Sequence, residues 1–279
     1  MFEPILDHAV IDARNRLDEA ASLYRRLGFA LSARGHHTLG SSNHLAIFAS
    51  TYLEVLGWEA GAAMKRPELQ RYPIGLNGLV FRAQDADTVT AELTKVGLTA
   101  QPPVALARQV RLPNGAQMEA RFRTVRFDDD TFGSTRAYFC EHFTPELVWR
   151  PEWQYHDNAV VDIVRVVIQA SHPHRLGTVF ATMFGETRLR LDGETCVLDA
   201  GQVKIEIMQR SEVARAFPDA TPDLGTRDEA MVGLGFRSAH LAKTAAALAK
   251  GEIPSRQTGS TRIIVPAAAA LGVTLEFVP

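Results

Sequence analysis

The sequence is short of several things, and each shortage narrows what the chain can be. It has 2 cysteines, Cys140 and Cys196, so no disulfide framework supports it. No apolar run reaches the roughly 18 residues that a membrane-spanning helix needs. The first residues after the methionine, Phe2, Glu3 and Pro4, place no basic stretch before an apolar one, so no secretory signal is expected. Lys and Arg number 30 against 32 Asp and Glu, a formal charge of −2. That balance gives no basic footprint for nucleic acid or an anionic membrane. There is no glycine-rich phosphate loop with its lysine and no dinucleotide fingerprint. A reduced, cytoplasmic protein is the expectation.

What is present is a core. Of the 279 residues, 46% are hydrophobic and 22% charged, which argues against disorder. The length suits one large domain or two smaller ones. Residues 5–11 form a short apolar run, read as a strand. Leu17, Ala20, Ala21, Tyr24 and Leu27 then recur at helical spacing, and Gly28 ends the helix. Residues 29–32, 45–48 and 52–56 read as three further strands. After an irregular excursion over 57–73, holding Met64, Pro67 and Pro73, a strand at 78–83 precedes a helix at 85–96 closed by Gly97. Residues 128–130 read as a turn or solvated loop, and 136–142 as the last strand of this half.

The order then repeats. Residues 163–168 read as a strand and 176–184 as a helix ended by Gly185. Strands follow at 189–191, 195–198 and 203–208. The final unit has strands at 233–238, 262–265 and 273–278 around an alanine-rich helix at 241–250. Gly78-Leu79-Val80-Phe81-Arg82 is echoed 155 positions later by Gly233-Leu234-Gly235-Phe236-Arg237. The connector 210–227 takes the place of 57–73. Such a unit cannot bury its sheet face alone, and pairing two closes a curved sheet around a cavity with helices outside. Domains are therefore expected at 1–158 and 159–279, joined by the proline- and tryptophan-bearing crossing 143–158.

Leu6-Asp7-His8-Ala9-Val10, Leu27-Gly28-Phe29, Gly35-His36-His37, Leu39-Gly40-Ser41-Ser42-Asn43, Tyr52-Leu53-Glu54-Val55 and Cys140-Glu141-His142 with Thr144-Pro145-Glu146-Leu147 together resemble the glyoxalase-like group of the vicinal oxygen chelate superfamily. The resemblance covers the first 160 residues and reaches the second half through unit order. It implies an α+β fold of four βαβββ modules in two tandem curved mixed sheets. It also implies a divalent ion (Zn, Ni, Mn or Fe) inside a cup. The positions matching the family's ligand strands are His8, Glu54, Gly78 and Glu141 in the first half, and Arg165, Glu206, Gly233 and Glu276 in the second. The second set lacks histidine, so the second cup is expected to be structural or to bind an anionic group through Arg165.

His8 and Glu54, on separate strands, are the first two expected ligands, since a borderline ion takes nitrogen and oxygen donors from converging strands. Glycine at 78 removes the usual fifth-strand ligand. Glu141 and His142 compete for the last-strand role, because neighbours on a strand face opposite ways. Unit alignment favours Glu141 and the family resemblance favours His142. The expected metal set is His8, Glu54 and His142, with Glu54 or Glu141 moving a proton. His37, Asn43, Trp149 and Arg165 are expected substrate contacts. Each has a plainer alternative: turn chemistry for His37 and Asn43, packing of the crossing for Trp149, and a carboxylate–arginine pair for the charged strand positions.

Three functions remain open. The first is a metal-dependent enzyme performing lyase or isomerase proton transfer on a small vicinally oxygenated molecule. The second is a metal-free protein that sequesters a small molecule in the same cup. The third is a ring-cleaving dioxygenase. Neither nucleic acid nor membrane is an expected partner, and open sheet edges allow a homodimer.

Overall fold

A computed structural model describes residues 2–59, 61, 67–128 and 131–279. Met64, Asp129 and Asp130, which fall in the expected excursion and loop, lie outside the described residues. The chain forms two mixed eight-stranded sheets with helices packed on them.

The first sheet contains β1 (Leu6–Arg14), β2 (Gly35–His36), β3 (Ser42–Ile47), β4 (Tyr52–Gly57), β5 (Gly75–Ala83), β6 (Val104–Arg111), β7 (Gln117–Arg126) and β8 (Arg136–His142), in the order β2-β3-β4-β1-β5-β8-β7-β6. The helices α1 (Leu17–Arg26) and α2 (Ala86–Lys95) follow β1 and β5. The second sheet repeats the order with β9 (Val160–Ala170), β10 (Leu189–Asp192), β11 (Thr195–Ala200), β12 (Val203–Met208), β13 (Glu229–Ser238), β14 (Arg256–Thr258), β15 (Arg262–Val265) and β16 (Thr274–Val278). Its helices are α3 (Pro173–Phe184), α4 (Arg210–Ala216) and α5 (Leu241–Lys250). None is long and apolar enough to cross a membrane.

Each strand spends its alternation on two environments. On β1, Ala9 and Ile11 join the core that both halves share, while Val10 belongs to a separate cluster inside the first cup. The shared core is aromatic: Phe81 lies 4.8 Å from Phe184, and Phe29 lies 5.2 Å from Phe236, ring centre to ring centre. A polar clasp accompanies it. The fully buried Asp162 carboxylate accepts the backbone N–H and hydroxyl of both Ser50 and Thr51 from the β3–β4 turn.

Three local expectations change. Residues 29–32 make no strand. The Ala30 N–H instead donates to His156 Nδ1, and His156 Nε2 donates to the Ile47 carbonyl. The β6–β7 hairpin was not visible in the sequence pattern, because its alternating residues are half exposed and often charged. Within the connector 210–227 lies α4, which begins with a capping box in which the Gln209 side chain meets the N3 backbone and Glu212 returns to the Gln209 N–H.

α4 decides the fate of the second cup. Val213 and Phe217, both essentially buried, sit against Val167, Val232 and Ile264. The guanidinium groups of Arg165 and Arg262 lie over the Phe217 ring at 5.3 and 5.1 Å. The connector thus fills this cup with its own side chains.

Truncating the plug, Phe217→Ala, is expected to cost on the order of 3–5 kcal/mol in urea unfolding, because the cup is too rigid to collapse onto the gap. His156 supplies a pH test. Burial holds its imidazole below the ordinary value of 6.5, against the opposing pull of its hydrogen bond to Ile47 and of Asp157. The folded state therefore prefers the neutral ring. Its contribution to stability is complete above pH 6.5 and is lost as pH falls through the depressed value. His156→Gln is expected to flatten that part of the stability–pH curve.

Candidate active site

The first cup stays open. Its cavity measures about 570 Å³, counting space open to solvent, and His8, His37, Asn43, Tyr52 and Glu54 line it together with Arg108, Arg126 and Arg136. The edge strands approach each other where His37 and Arg108 make an isolated antiparallel bridge.

A bulge in β1 sets the chemistry. Leu6 pairs with Phe81 and His8 with Val80, so two steps of β1 oppose one of β5. The extra residue is Asp7, and the irregularity turns neighbouring Asp7 and His8 to the same face. Asp7 is fully buried. Its Oδ2 meets His8 Nδ1 at 2.8 Å and His142 Nε2 at 2.9 Å, and its Oδ1 accepts from Arg82 Nε at 3.0 Å. Burial alone would raise its pKa. His142 and His8 outweigh burial and hold the carboxyl far below the usual range. Ionised, Asp7 can only accept, so both imidazoles present N–H groups to it.

That fixes His8. With Nδ1 held by Asp7, Nε2 faces the cavity, 3.8 Å from Glu54 Oε2. The ring stacks on Tyr52 at 4.2 Å. Glu54 Oε1 accepts from Asn43 Nδ2 at 2.7 Å and lies 3.7 Å from His37 Nε2. Burial pushes the Glu54 pKa up, but His37, His8 and the Asn43 hydrogen bond prevail and lower it. His8 Nε2 and Glu54 Oε2 thus stand side by side on the cavity wall, 3.8 Å apart.

The expected site residues divide. His8, Glu54, His37 and Asn43 converge on the cavity. His142 shares the cavity face of β8 with Tyr138 and Cys140, but its Nε2 is drawn onto Asp7. Glu141 is corrected as a proton carrier. It points the other way, where its Oε2 accepts the Ala86 N–H at the start of α2 and lies 3.8 Å from Arg123. Its proposed counterpart Glu276 was also misaligned. Glu276 opposes Gly235, whereas the residue opposing the equivalent Val80 is Tyr138. Trp149 packs behind the site, 4.9 Å from His142 and 5.6 Å from Tyr52, with the Arg82 guanidinium 4.7 Å from its ring. Arg165 is corrected as an anion binder, because Glu206 and Glu276 already hold its guanidinium at 2.7 and 2.9 Å.

Sequence reasoning missed Asp7, Arg108 and Arg136. A charge inside the apolar run 5–11 was the available signal for Asp7. Arg108 had none, since its hairpin went unread.

A family model described as "Glyoxalase-like domain" matches residues 6–184. This chain belongs to that family. No curated protein sequence matches the glyoxalase-like chain, but solved structures share its fold. A hypothetical protein from Staphylococcus aureus is similar at a TM-score of 0.66 and 11% identity, with 98% of each chain covered. A mutant of 4-hydroxymandelate synthase from Streptomyces coelicolor gives 0.60 and 12%, covering 99% of this chain and 92% of that one. A xylose isomerase-like TIM barrel/4-hydroxyphenylpyruvate dioxygenase fusion protein gives 0.56 and 12%, covering 99% of this chain and 49% of that one. These neighbours and the two curved sheets make this the vicinal oxygen chelate fold.

The fold implies a divalent ion, and the donors can be tested against it. A catalytic zinc site takes three protein ligands. His8 Nε2 and Glu54 Oε2 offer two. At Gly78 a side chain is missing, and a Cβ there would stand 2.9 Å from Arg136 Nη2, a cation. Among the described residues, the trio of donor atoms lying within 4.8 Å of one another is Asp7, Cys140 and His142. Asp7 is already held by Arg82, His8 and His142, and burial pushes the Cys140 thiol well up. The residues do not fit a resident ion.

Asp7→Asn is expected to destabilise the protein by about 1–3 kcal/mol in urea unfolding, because it removes the buried ionised acceptor shared by His8, His142 and Arg82.

Proposed function

We propose that the first cup is the active site of a small-molecule enzyme that moves a proton on an oxygenated carbon acid. The observation carrying this reading is the Asp7–His8 pair, which aims the second imidazole nitrogen at the cavity beside the Glu54 carboxylate. Asp7 orients the ring and stabilises the imidazolium that forms when Nε2 takes the proton from carbon. Glu54, held by Asn43, faces the substrate's hydroxyl and returns or receives its proton. Leu45, Leu56, Leu106 and Phe122 give the cavity apolar walls, which limit water around the developing charge.

The arrangement supports lyase or isomerase chemistry. Ring-cleaving dioxygenase chemistry is disfavoured, because it calls for an iron that the donor set does not complete. Names of structural neighbours include 4-hydroxymandelate synthase and 4-hydroxyphenylpyruvate dioxygenase, which supports a small oxygenated substrate. Two free, buried cysteines suit a reducing, cytoplasmic setting.

Proton NMR in deuterium oxide, run on a panel of small 2-hydroxy and 2-oxo compounds, tests the proposal. Wild-type protein is expected to exchange the C–H next to a carbonyl or hydroxyl-bearing carbon. His8→Gln and Glu54→Gln are each expected to slow exchange by roughly 10²–10⁴-fold without loss of fold. Exchange that survives both substitutions overturns the assignment. Equimolar Zn, Ni, Mn or Fe that is lost in His8→Ala would restore the metal-dependent reading.

A further inference from the structure

Elsewhere in the molecule, several half-buried arginines meet carboxylates: Arg82 meets Asp7, Arg165 meets Glu206 and Glu276, and Arg262 also meets Glu276. The first cup breaks this pattern twice. Arg108, on β6, is 3% exposed. Arg136, on β8, is half-buried. Among the described residues, no carboxylate oxygen lies within 4.0 Å of either guanidinium. Both line the cavity, where Glu54 is the one acidic residue against three arginines.

Four orphaned polar atoms share the same place. Arg108 Nη2, Arg136 Nε, Asn43 Oδ1 and Thr124 Oγ1 are buried without a hydrogen-bond partner, and all four residues line this cavity. Arg136 Nη2 is steadied by Asn77 Oδ1 at 3.1 Å, and its guanidinium lies 5.3 Å from the Tyr138 ring.

Two glycines make room for the two arginines. A Cβ on Gly35 would stand 2.5 Å from Arg108 Cδ and 2.6 Å from Asn43 Oδ1. One on Gly78 would stand 2.6 Å from Val10 Cβ and 2.9 Å from Arg136 Nη2. Neither glycine has a positive φ, so neither position needs glycine for its backbone. Gly35 leaves space for the Arg108 stem, and Gly78 leaves it for Val10 and the Arg136 guanidinium. A buried cation without an ion pair is costly, and a cup that holds Arg108 in that state beside the half-buried Arg136 has a use for an anion.

We propose that Arg108 and Arg136 bind the carboxylate of a small organic acid in the first cup. This rests on the reading of that cup as the active site and names its substrate class. The planar guanidinium fork matches a carboxylate through paired hydrogen bonds. The leucine and Phe122 walls suit a carbon skeleton rather than a bare inorganic ion. The oxygen next to the carboxylate then faces His8 and Glu54, so one ligand engages the arginines and the paired His8 and Glu54 side chains.

Glycolate, its neutral isostere glycolamide and inorganic phosphate are the probes, with calorimetric titration and thermal unfolding as readouts. Wild-type protein is expected to bind glycolate and to melt higher with it, and to show neither response to glycolamide. Arg108→Met and Arg136→Met are each expected to weaken glycolate by roughly tenfold or more. Arg108→Met is also expected to melt above wild type without ligand, since it removes an unpaired buried charge; a merely structural arginine would give the opposite. Equal binding of glycolate and glycolamide, or unchanged glycolate binding in both methionine variants, overturns the proposal. Phosphate binding without glycolate binding overturns the carboxylate assignment. Glu54→Gln separates the two readings. If it abolishes carbon-acid exchange yet keeps or tightens glycolate binding, the anion site is supported. If no compound exchanges but glycolate still depends on the arginines, the proton-transfer reading fails and the anion site stands.

Discussion

One irregular step in the first strand governs the site. A regular β1 would send Asp7 and His8 to opposite faces, leaving a charge in the aromatic core and an imidazole with no orienting partner. The bulge brings both to the concave face. The buried Asp7 carboxylate then gathers Arg82, His8 and His142 from β5, β1 and β8. Three strands are thereby tied through a single side chain, and the nitrogen that His8 offers to the cavity is chosen by the one it surrenders to Asp7.

The two cups show how one architecture is given different fates by its connectors and charges. At the position equivalent to His8, the second cup has Arg165, which is spent internally on Glu206 and Glu276. α4 and Phe217 cover that ion cluster, so its charges cancel under an aromatic lid. In the first cup the charges do not cancel. Glu54 is engaged by Asn43 and faces two imidazoles, while the arginines on β6 and β8 make no ion pair with it. A closed network stabilises the fold. An incomplete one keeps a place for a ligand.

The superfamily's metal pattern also takes on a physical meaning here. Gly78 reads in the sequence as a lost ligand. In three dimensions it is space, occupied from β8 by the Arg136 guanidinium. The cup still holds positive charge where the fold commonly places an ion, but the charge is covalently attached and planar. It can neutralise and orient an oxyanion without polarising two oxygens as a chelated ion would.

The sequence by itself determined the repeating order of elements, because hydrophobic periodicity and helix-ending glycines are local signals, and its resemblance to the glyoxalase-like group pointed to the paired curved sheets and to His8 with Glu54. It also carried the contest between Glu141 and His142, since strand alternation allows just one of them to face the cup. Only tertiary structure decided the rest. A bulge is a mismatch between two strands and has no signature in one of them, so the role of Asp7 was hidden. The β6–β7 hairpin is half exposed and weakly patterned, so Arg108 was hidden with it. Whether an arginine is paired or left waiting depends on which carboxylates the fold brings near. Arg165 and Arg108 look alike in the sequence and differ only in their neighbours.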